Sequence, residues 1–368
     1  MRTRIAVVSF LLLAAQSSRA QAVRIGVFGL FGPHQLTVSV FAGTATVLHA
    51  GRDSFVLEAS SGRRAADIRL TPDGLLLQVG TQEVSATAIH AGGRSGEATD
   101  FALSVPGKIS RHYRGALDVT VASGNLLPVV TMDLETAVSS VVQAESLPGT
   151  PIEALKAQAV AARSYFAAAA SRHRAFDFCD TTHCQYLREP PAPESPATLA
   201  TVATRGLVLA YQGEPFAAMY TRSCGGRTRT AAELGVSSDR YPYFPVTCDY
   251  CRRHTWCWRR RISAAEANKL RTQGETARLE IDRRLGWDAI PSCSFVAHAA
   301  GQDVVLEGTG QGHGLGLCQL GARAMAEAGA GFREILNHFY PNTGVLRFSA
   351  SQVPFRAFAR ERFENPRN

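Results

Sequence analysis

Cysteine is absent from the first 178 residues of this 368-residue chain, and all eight cysteines lie between positions 179 and 318. Any disulfide or metal site therefore belongs to the second half, and the N-terminal third must fold on apolar packing alone. Also missing is an apolar run of the roughly 20 residues that cross a bilayer. The stretch from Ile5 to Ala15 is too short. With Met1-Arg-Thr-Arg4 before it and Ser18-Arg19-Ala20 after it, it fits a cleaved secretory signal over residues 1–20. The remainder is expected to be soluble and exported, with no transmembrane segment: secreted, periplasmic or held at the cell envelope. Internal repeats and long disordered linkers are lacking as well.

A clustered basic footprint is not found either. The formal charge is +8, and about +5 once Arg2, Arg4 and Arg19 leave with the signal. That excess, mostly arginine, suits an acidic polymer or an envelope surface and speaks against nucleic acid as a partner. The glycine-dense loop Gly308-Thr-Gly-Gln-Gly-His-Gly-Leu-Gly316 has neither the Lys-Ser/Thr of a P-loop nor the spacing of a dinucleotide fingerprint. Hydrophobic content of 45% is that of an ordinary globular protein.

From Val23 to about Val121 the chain alternates apolar and polar residues in short runs: 23–28, 36–41, 55–58, 68–70, 75–79 and 116–121, with another at 126–131. Turn signals such as Ser61-Gly62 and Pro72-Asp73-Gly74 separate them, which predicts an antiparallel β layer. At Asp133 the period lengthens. Leu134, Val138, Val141 or Val142, and Glu145 share one face of a predicted helix that Asp133 could cap. After Pro148-Gly149, the run Thr150-Pro151-Ile152-Glu153 predicts a capping box opening an alanine-rich helix to about Ala170. Strand-like runs return at 206–211 and 215–220, and helical patterns at 322–328 and 332–339. The expected fold is α+β. Residues 21–112 form a β-rich N-terminal region, 113–346 a mixed α/β domain with a substrate cleft, and 347–368 a tail.

Glu145 is the first candidate for chemistry. Inward placement removes water, and the partial negative charge of a helix C-terminus further disfavours ionisation, so its pKa is expected to rise. An acid protonated near neutrality can protonate a leaving group; the bland alternative is a solvated helix-end carboxylate. Gln158 and Tyr165 share a face of the second helix, whereas Arg163 points away, toward a substrate or toward Glu145; a solvated Arg is the plain reading. His313 is a loop histidine flanked by glycines. A Cys318–His313 dyad rests on sequence closeness alone, which is poor evidence. His173, Cys179 and Cys184, with His183 alongside, have soft donors at H-x5-C-x4-C spacing. Zinc without an obvious fourth ligand and a Cys179–Cys184 disulfide both remain open. Cys248-x2-Cys251-x5-Cys257, with His254 between, poses the same choice of zinc or disulfide, and disulfides are favoured there, partly because Cys224 and Cys293 also need partners.

These pieces, in their order, resemble the SpoIID/LytB family of bacterial cell-wall proteins. The matching runs are Val141-Val-Gln-Ala-Glu145, Glu153-Ala-Leu-Lys-Ala-Gln-Ala-Val-Ala-Ala-Arg-Ser-Tyr165, Cys179-Asp-Thr-Thr-His-Cys-Gln185, Ser223-Cys-Gly-Gly-Arg-Thr228, Tyr241-Pro-Tyr243 and Gly310-Gln-Gly-His-Gly-Leu-Gly-Leu-Cys-Gln-Leu-Gly-Ala322. The resemblance implies a lytic transglycosylase acting on peptidoglycan glycan strands stripped of stem peptides. It puts the catalytic acid at Glu145 and substrate contacts at Gln158, Arg163, Tyr243, His313 and Gln319. No cofactor is required, and a structural zinc on His173, Cys179 and Cys184 is implied from some members. Two positions depart from the family pattern: Pro245 stands where a basic residue is common, and Leu317-Cys318 replaces Met-Ser.

The implied reaction needs only one carboxyl, because the muramoyl 6-hydroxyl attacks its own anomeric carbon. Asp177 or Asp180 as a second carboxylate would instead make a hydrolase. A role as a non-catalytic amidase enhancer, attached to the LytB branch, is the alternative from another class, with a cell-wall amidase as partner.

Overall fold

The computed structural model describes residues 21–95, 97–169, 172–235 and 240–348. The expected signal, residues 1–20, and residues 349–368 of the expected tail lie outside them. Among the described residues no helix is long and apolar enough to cross a membrane.

The N-terminal part is strand after strand: β1 (Ala22–Gly26), β2 (Gln35–Val40), β3 (Ala45–Ala50), β4 (Asp53–Glu58), β5 (Ala65–Thr71), β6 (Gly74–Val79), β7 (Gln82–Ala86), β8 (Ile89–Gly92), β9 (Thr99–Val105), β10 (Ile109–Ala122) and β11 (Asn125–Asp133). Alternate residues point into one core, among them Ile25, Leu36, Val38, Leu48, Leu103 and Val119. With β12 (Phe178–Cys179) they build a sheet whose main path runs β12-β1-β11-β10-β9-β2-β5-β6-β7. The 14 residues of β10 pair with β9 over 109–115 and with β11 over 116–122. Gly115 marks the changeover. A Cβ there would lie 2.2 Å from the Thr131 carbonyl oxygen, so only glycine lets the two strands approach. The expected boundary at residues 112/113 falls inside this strand.

Two helices follow, α1 (Leu134–Glu145) and α2 (Ile152–Ala168). Asp133 caps α1 as expected, its Oδ1 accepting from the Glu135 and Thr136 amides at 2.9 and 3.2 Å. The expected capping box of α2 does not form. Helix α2 begins after Pro151 with no side-chain cap, and the Thr150 hydroxyl donates to Leu147 O instead. Glu153 is turned elsewhere: it accepts from the Phe332 amide at 2.8 Å, the first residue of a later helix, and from Lys156 Nζ at 2.6 Å. Almost every residue of α2 from Ala154 to Phe166 is buried. Packed on several sides, this helix favours alanine, which lets neighbouring elements come close at no side-chain entropy cost.

The chain continues through α3 (Pro196–Ala203), β13 (Leu207–Tyr211), β14 (Glu214–Pro215), β15 (Tyr220–Thr221) and α4 (Asp249–Arg253). The expected strand at 215–220 is thus split. An inserted unit of β16 (Cys257–Ser263), α5 (Ala264–Gln273), α6 (Glu275–Leu285), β17 (Phe295–Ala300) and β18 (Asp303–Thr309) has a small core of its own around Trp258, Leu270, Ile281 and Leu306. The glycine loop then leads into β19 (Leu317–Cys318), α7 (Gln319–Glu327), α8 (Phe332–Phe339) and β20 (Gly344–Arg347). Strands β15 and β19 pair in parallel, Tyr220 opposite Leu317 and Thr221 opposite Cys318. The fold is α+β, and α2 lies between the core of the large sheet and the core built on β13, α7 and α8.

Candidate functional site

Four segments meet at the C-terminal end of α1. Glu145, the last residue of α1, is half-buried, and its Oε1 accepts from the Tyr186 amide at 2.7 Å and lies 3.2 Å from the Tyr220 hydroxyl. Burial pushes its carboxyl from 4.5 up to about 7, against the opposing pull of those two donors. The parallel pairing of β15 with β19 sets Tyr220 beside the start of α7. From there Gln319 Nε2 donates to the Glu145 backbone carbonyl at 3.1 Å.

Tyr220 also lies 3.0 Å from Gln185 Oε1, and the Gln185 amide is held by its Nε2 donating to Ala162 O at 3.2 Å. One hydroxyl proton serves two acceptors in turn. When Glu145 is ionised, Tyr220 donates to it. When Glu145 is protonated, Tyr220 donates to Gln185 and is free to accept from the acid. The network therefore accommodates both protonation states without moving a heavy atom.

Gln158 reaches the same region: its Oε1 accepts from Ser146 Oγ at 3.1 Å, and its buried Nε2 has no partner among the described residues. A buried amide N–H left open is costly, and a ligand or water oxygen would satisfy it. His313 Nδ1 accepts from the Leu315 amide at 3.0 Å, and burial pushes the imidazole down to about 4, so it is neutral near pH 7.

Two of the expected contacts lie elsewhere. Arg163 is fully buried, pairing through Nε and Nη2 with Glu135 at 3.0 and 2.6 Å and donating to the carbonyls of Leu207 and Thr201. Its donors are occupied at the other end of α1, away from Glu145. Tyr243 is buried in an aromatic cluster with Phe216 and Tyr241; its hydroxyl donates to Ala217 O and accepts from the Met219 amide. Its φ of 53° is a strained value for tyrosine, held by this packing.

Asp177 and Asp180, the expected second carboxylates, face the large sheet. Asp180 accepts from Arg111 Nη1 at 2.8 Å and the Phe28 amide at 3.3 Å, and Asp177 from the Arg24 amide at 3.1 Å. Among the described residues no other carboxylate shares a hydrogen-bond partner with Glu145.

The donors of His173, Cys179, His183 and Cys184 lie within 4.8 Å of one another. His173 Nε2 is 3.3 Å from Cys184 Sγ, and His183 Nδ1 is 3.7 and 3.6 Å from the two sulfurs. Two thiols and two imidazoles fit a tetrahedral zinc, and His183 is the ligand the spacing alone did not supply. All eight cysteines carry free thiols. The expected grouping of Cys248 and Cys251 with Cys257 does not occur: both meet Cys224 and Cys318, while Cys257 is exposed and Cys293 donates to Glu275. Three further residues, Tyr220, Gln185 and Ser146, were not singled out from sequence. Gln185 closes a recognised motif and Tyr220 ends a strand-like run, so only three-dimensional proximity reveals them.

Residues 122–211 match the SpoIID family, described as stage II sporulation protein. A protein of Brachyspira hyodysenteriae described as uncharacterized is 27% identical over 277 residues, covering 66% of this chain and 74% of that protein. The stage II sporulation protein D of Bacillus amyloliquefaciens is 26% identical over 258 residues, covering 59% of this chain and 75% of that protein. Glu145, Gln158 and the helix pair that carries them all lie inside the matched residues, so the segment that holds the site is the one that resembles the SpoIID family.

Proposed function

We propose that this chain is an exported peptidoglycan-remodelling enzyme, a lytic transglycosylase that cleaves between N-acetylmuramic acid and N-acetylglucosamine with Glu145 as acid and then base. The family resemblance supports a cell-wall-related role in sporulation at the coarser level. The observation that carries the finer reading is a single half-buried carboxyl, raised to about 7, with no second carboxylate among the described residues in its hydrogen-bond network.

In the first step Glu145 gives its proton to the bridging oxygen as the bond from the muramoyl anomeric carbon to that oxygen breaks. In the second the carboxylate takes the proton of the muramoyl 6-hydroxyl, whose oxygen bonds to the anomeric carbon and closes a 1,6-anhydro ring. Glu145 ends protonated as it began, and no water is consumed, so no second carboxylate has to hold one. The Tyr220 hydroxyl answers each change by turning between Glu145 and Gln185. Gln158 Nε2 and Gln319 supply amide groups suited to sugar hydroxyls and acetamides, and neutral His313 adds a polar ring without charge. A zinc held by His173, Cys179, His183 and Cys184 would supply structure rather than chemistry, fixing the loop that presents the Tyr186 amide to Glu145.

Digestion of peptide-free glycan strands, with mass analysis of the new ends, tests this. Anhydro ends from the native protein and none from Glu145→Gln are expected. Free reducing ends would make it a hydrolase. Full function in Glu145→Gln with no cleavage at all would favour a wall-binding amidase enhancer.

A further inference from the structure

The second cysteine cluster plays no part in the glycan chemistry. The sulfurs of Cys224, Cys248, Cys251 and Cys318 are all buried and lie within 4.8 Å of one another, with Cys251 and Cys318 at 3.5 Å. They come from three separate segments: the turn after β15, the start of α4, and the end of β19 where α7 begins. A tetrahedral zinc with Zn–S bonds of about 2.3 Å spaces its sulfurs about 3.8 Å apart. Disulfides would draw sulfurs together in pairs at about 2.05 Å and give no reason for two pairs to converge on one point.

The surroundings suit thiolates. The amides of Cys224 and Gly321 both donate to Cys318 Sγ at 3.4 Å, and Ser223 Oγ lies 3.6 Å from Cys251 Sγ. Donors directed at sulfur stabilise its negative charge and orient metal-bound thiolates. The helix α7 adds its positive N-terminal end, since Cys318 is its cap residue. Glycine is required at position 321, because a Cβ there would fall 2.6 Å from Cys248 Sγ.

We propose that Cys224, Cys248, Cys251 and Cys318 form a closed tetrathiolate site for a structural zinc ion. Binding releases the four thiol protons as four Zn–S bonds form, and it leaves no open position for substrate or water. What the ion holds in place is specific. It ties the first turn of α7 to α4 and to the turn after β15, and that first turn carries Gln319, whose amide donates to the Glu145 carbonyl. The site is thus a clamp on the helix turn that supports Glu145 through Gln319.

The test is elemental analysis and zinc absorption fine structure on the full chain purified without chelator. With both clusters filled, the expected result is two zinc ions per chain and an average shell of three sulfurs to one nitrogen. One zinc with an all-sulfur shell would also support the four-cysteine site. One zinc with equal sulfur and nitrogen would overturn it, as would an intact mass showing two disulfides among these four residues. Cys248→Ser/Cys251→Ser should lose one zinc per chain and keep the mixed-ligand ion. If that variant does not fold, the shell composition of the native protein still decides. None of these readouts depends on glycan cleavage, so the site stands or falls independently of the proposed activity.

Discussion

Glu145 shows how one carboxyl is tuned by competing neighbours. Burial disfavours its charge, while the Tyr186 amide and the Tyr220 hydroxyl favour it, and burial is the largest of the three. The helix terminus invoked from sequence is not needed to explain the direction. A carboxyl whose folded pKa lies above its unfolded value binds its proton more tightly in the folded state. Stability from this group is therefore full below pH 4.5 and is lost as pH rises through about 7. The full shift would correspond to about 3 kcal/mol, and partial exposure discounts it to about 2 kcal/mol. Gln at 145 cannot ionise. Urea unfolding of native protein and Glu145→Gln across pH 4 to 9 should show little difference at the acid end and an advantage to the variant of about 2 kcal/mol at the alkaline end. A difference that stays constant with pH would show that Glu145 titrates normally.

At the scale of elements, the site is an antiparallel pair of helices locked at both ends. Ser146 bonds Gln158 near the turn, and Glu135 bonds Arg163 at the far end, where the Gly206 amide also reaches Glu135 Oε1 at 3.3 Å. Arg163→Met leaves Glu135 nearly buried without its partner, which should cost about 3–5 kcal/mol in denaturant unfolding. Glu135→Leu/Arg163→Met should recover most of that loss, because an apolar pair needs no desolvation. Loss of glycan cleavage with unchanged stability in Arg163→Met would instead return this residue to the substrate. The partner of Arg163, Glu135, lies 28 residues upstream, beyond what helical spacing within α2 can reach. The cap of α1 was legible because Asp133 and the amides that donate to it are neighbours; the role of Glu153 was not, because it serves an amide 179 residues away. Strand β3 was obscured for a related reason: its buried Thr46 breaks the apolar alternation and is satisfied by Thr99 in β9, 53 residues away. Helices α5 and α6 bury few apolar residues, Leu270 and Ile281 chief among them, so no apolar stripe announces them.

For the whole molecule, the question is whether the site can exist without the large sheet. Strand β1 lies between β11 and β12, pairing Gly26 with Cys179. Arg111 of β10 donates to Asp180 and to the Leu187 carbonyl, so the loop that carries Cys179, Cys184 and Tyr186 rests on the N-terminal strands. Val23, Ile25, Leu36, Val38 and Leu103 share one core with Val138, Val142 and Phe166 of the two helices. Each such side chain contributes about 1.5–3 kcal/mol by leaving water, and a domain's net stability is only about 5–15 kcal/mol. Removing residues 21–112 would strip more than that margin and expose the apolar faces of β10 and β11. A fragment spanning 113–346 should therefore show no cooperative unfolding transition and rapid proteolysis, whereas the chain from residue 21 onward should unfold the sheet and the helix pair together. A sharp, protease-resistant transition in the fragment would mean that the helix pair and its loops fold without the sheet, and that the contacts to β1 and β10 orient the site without sustaining it.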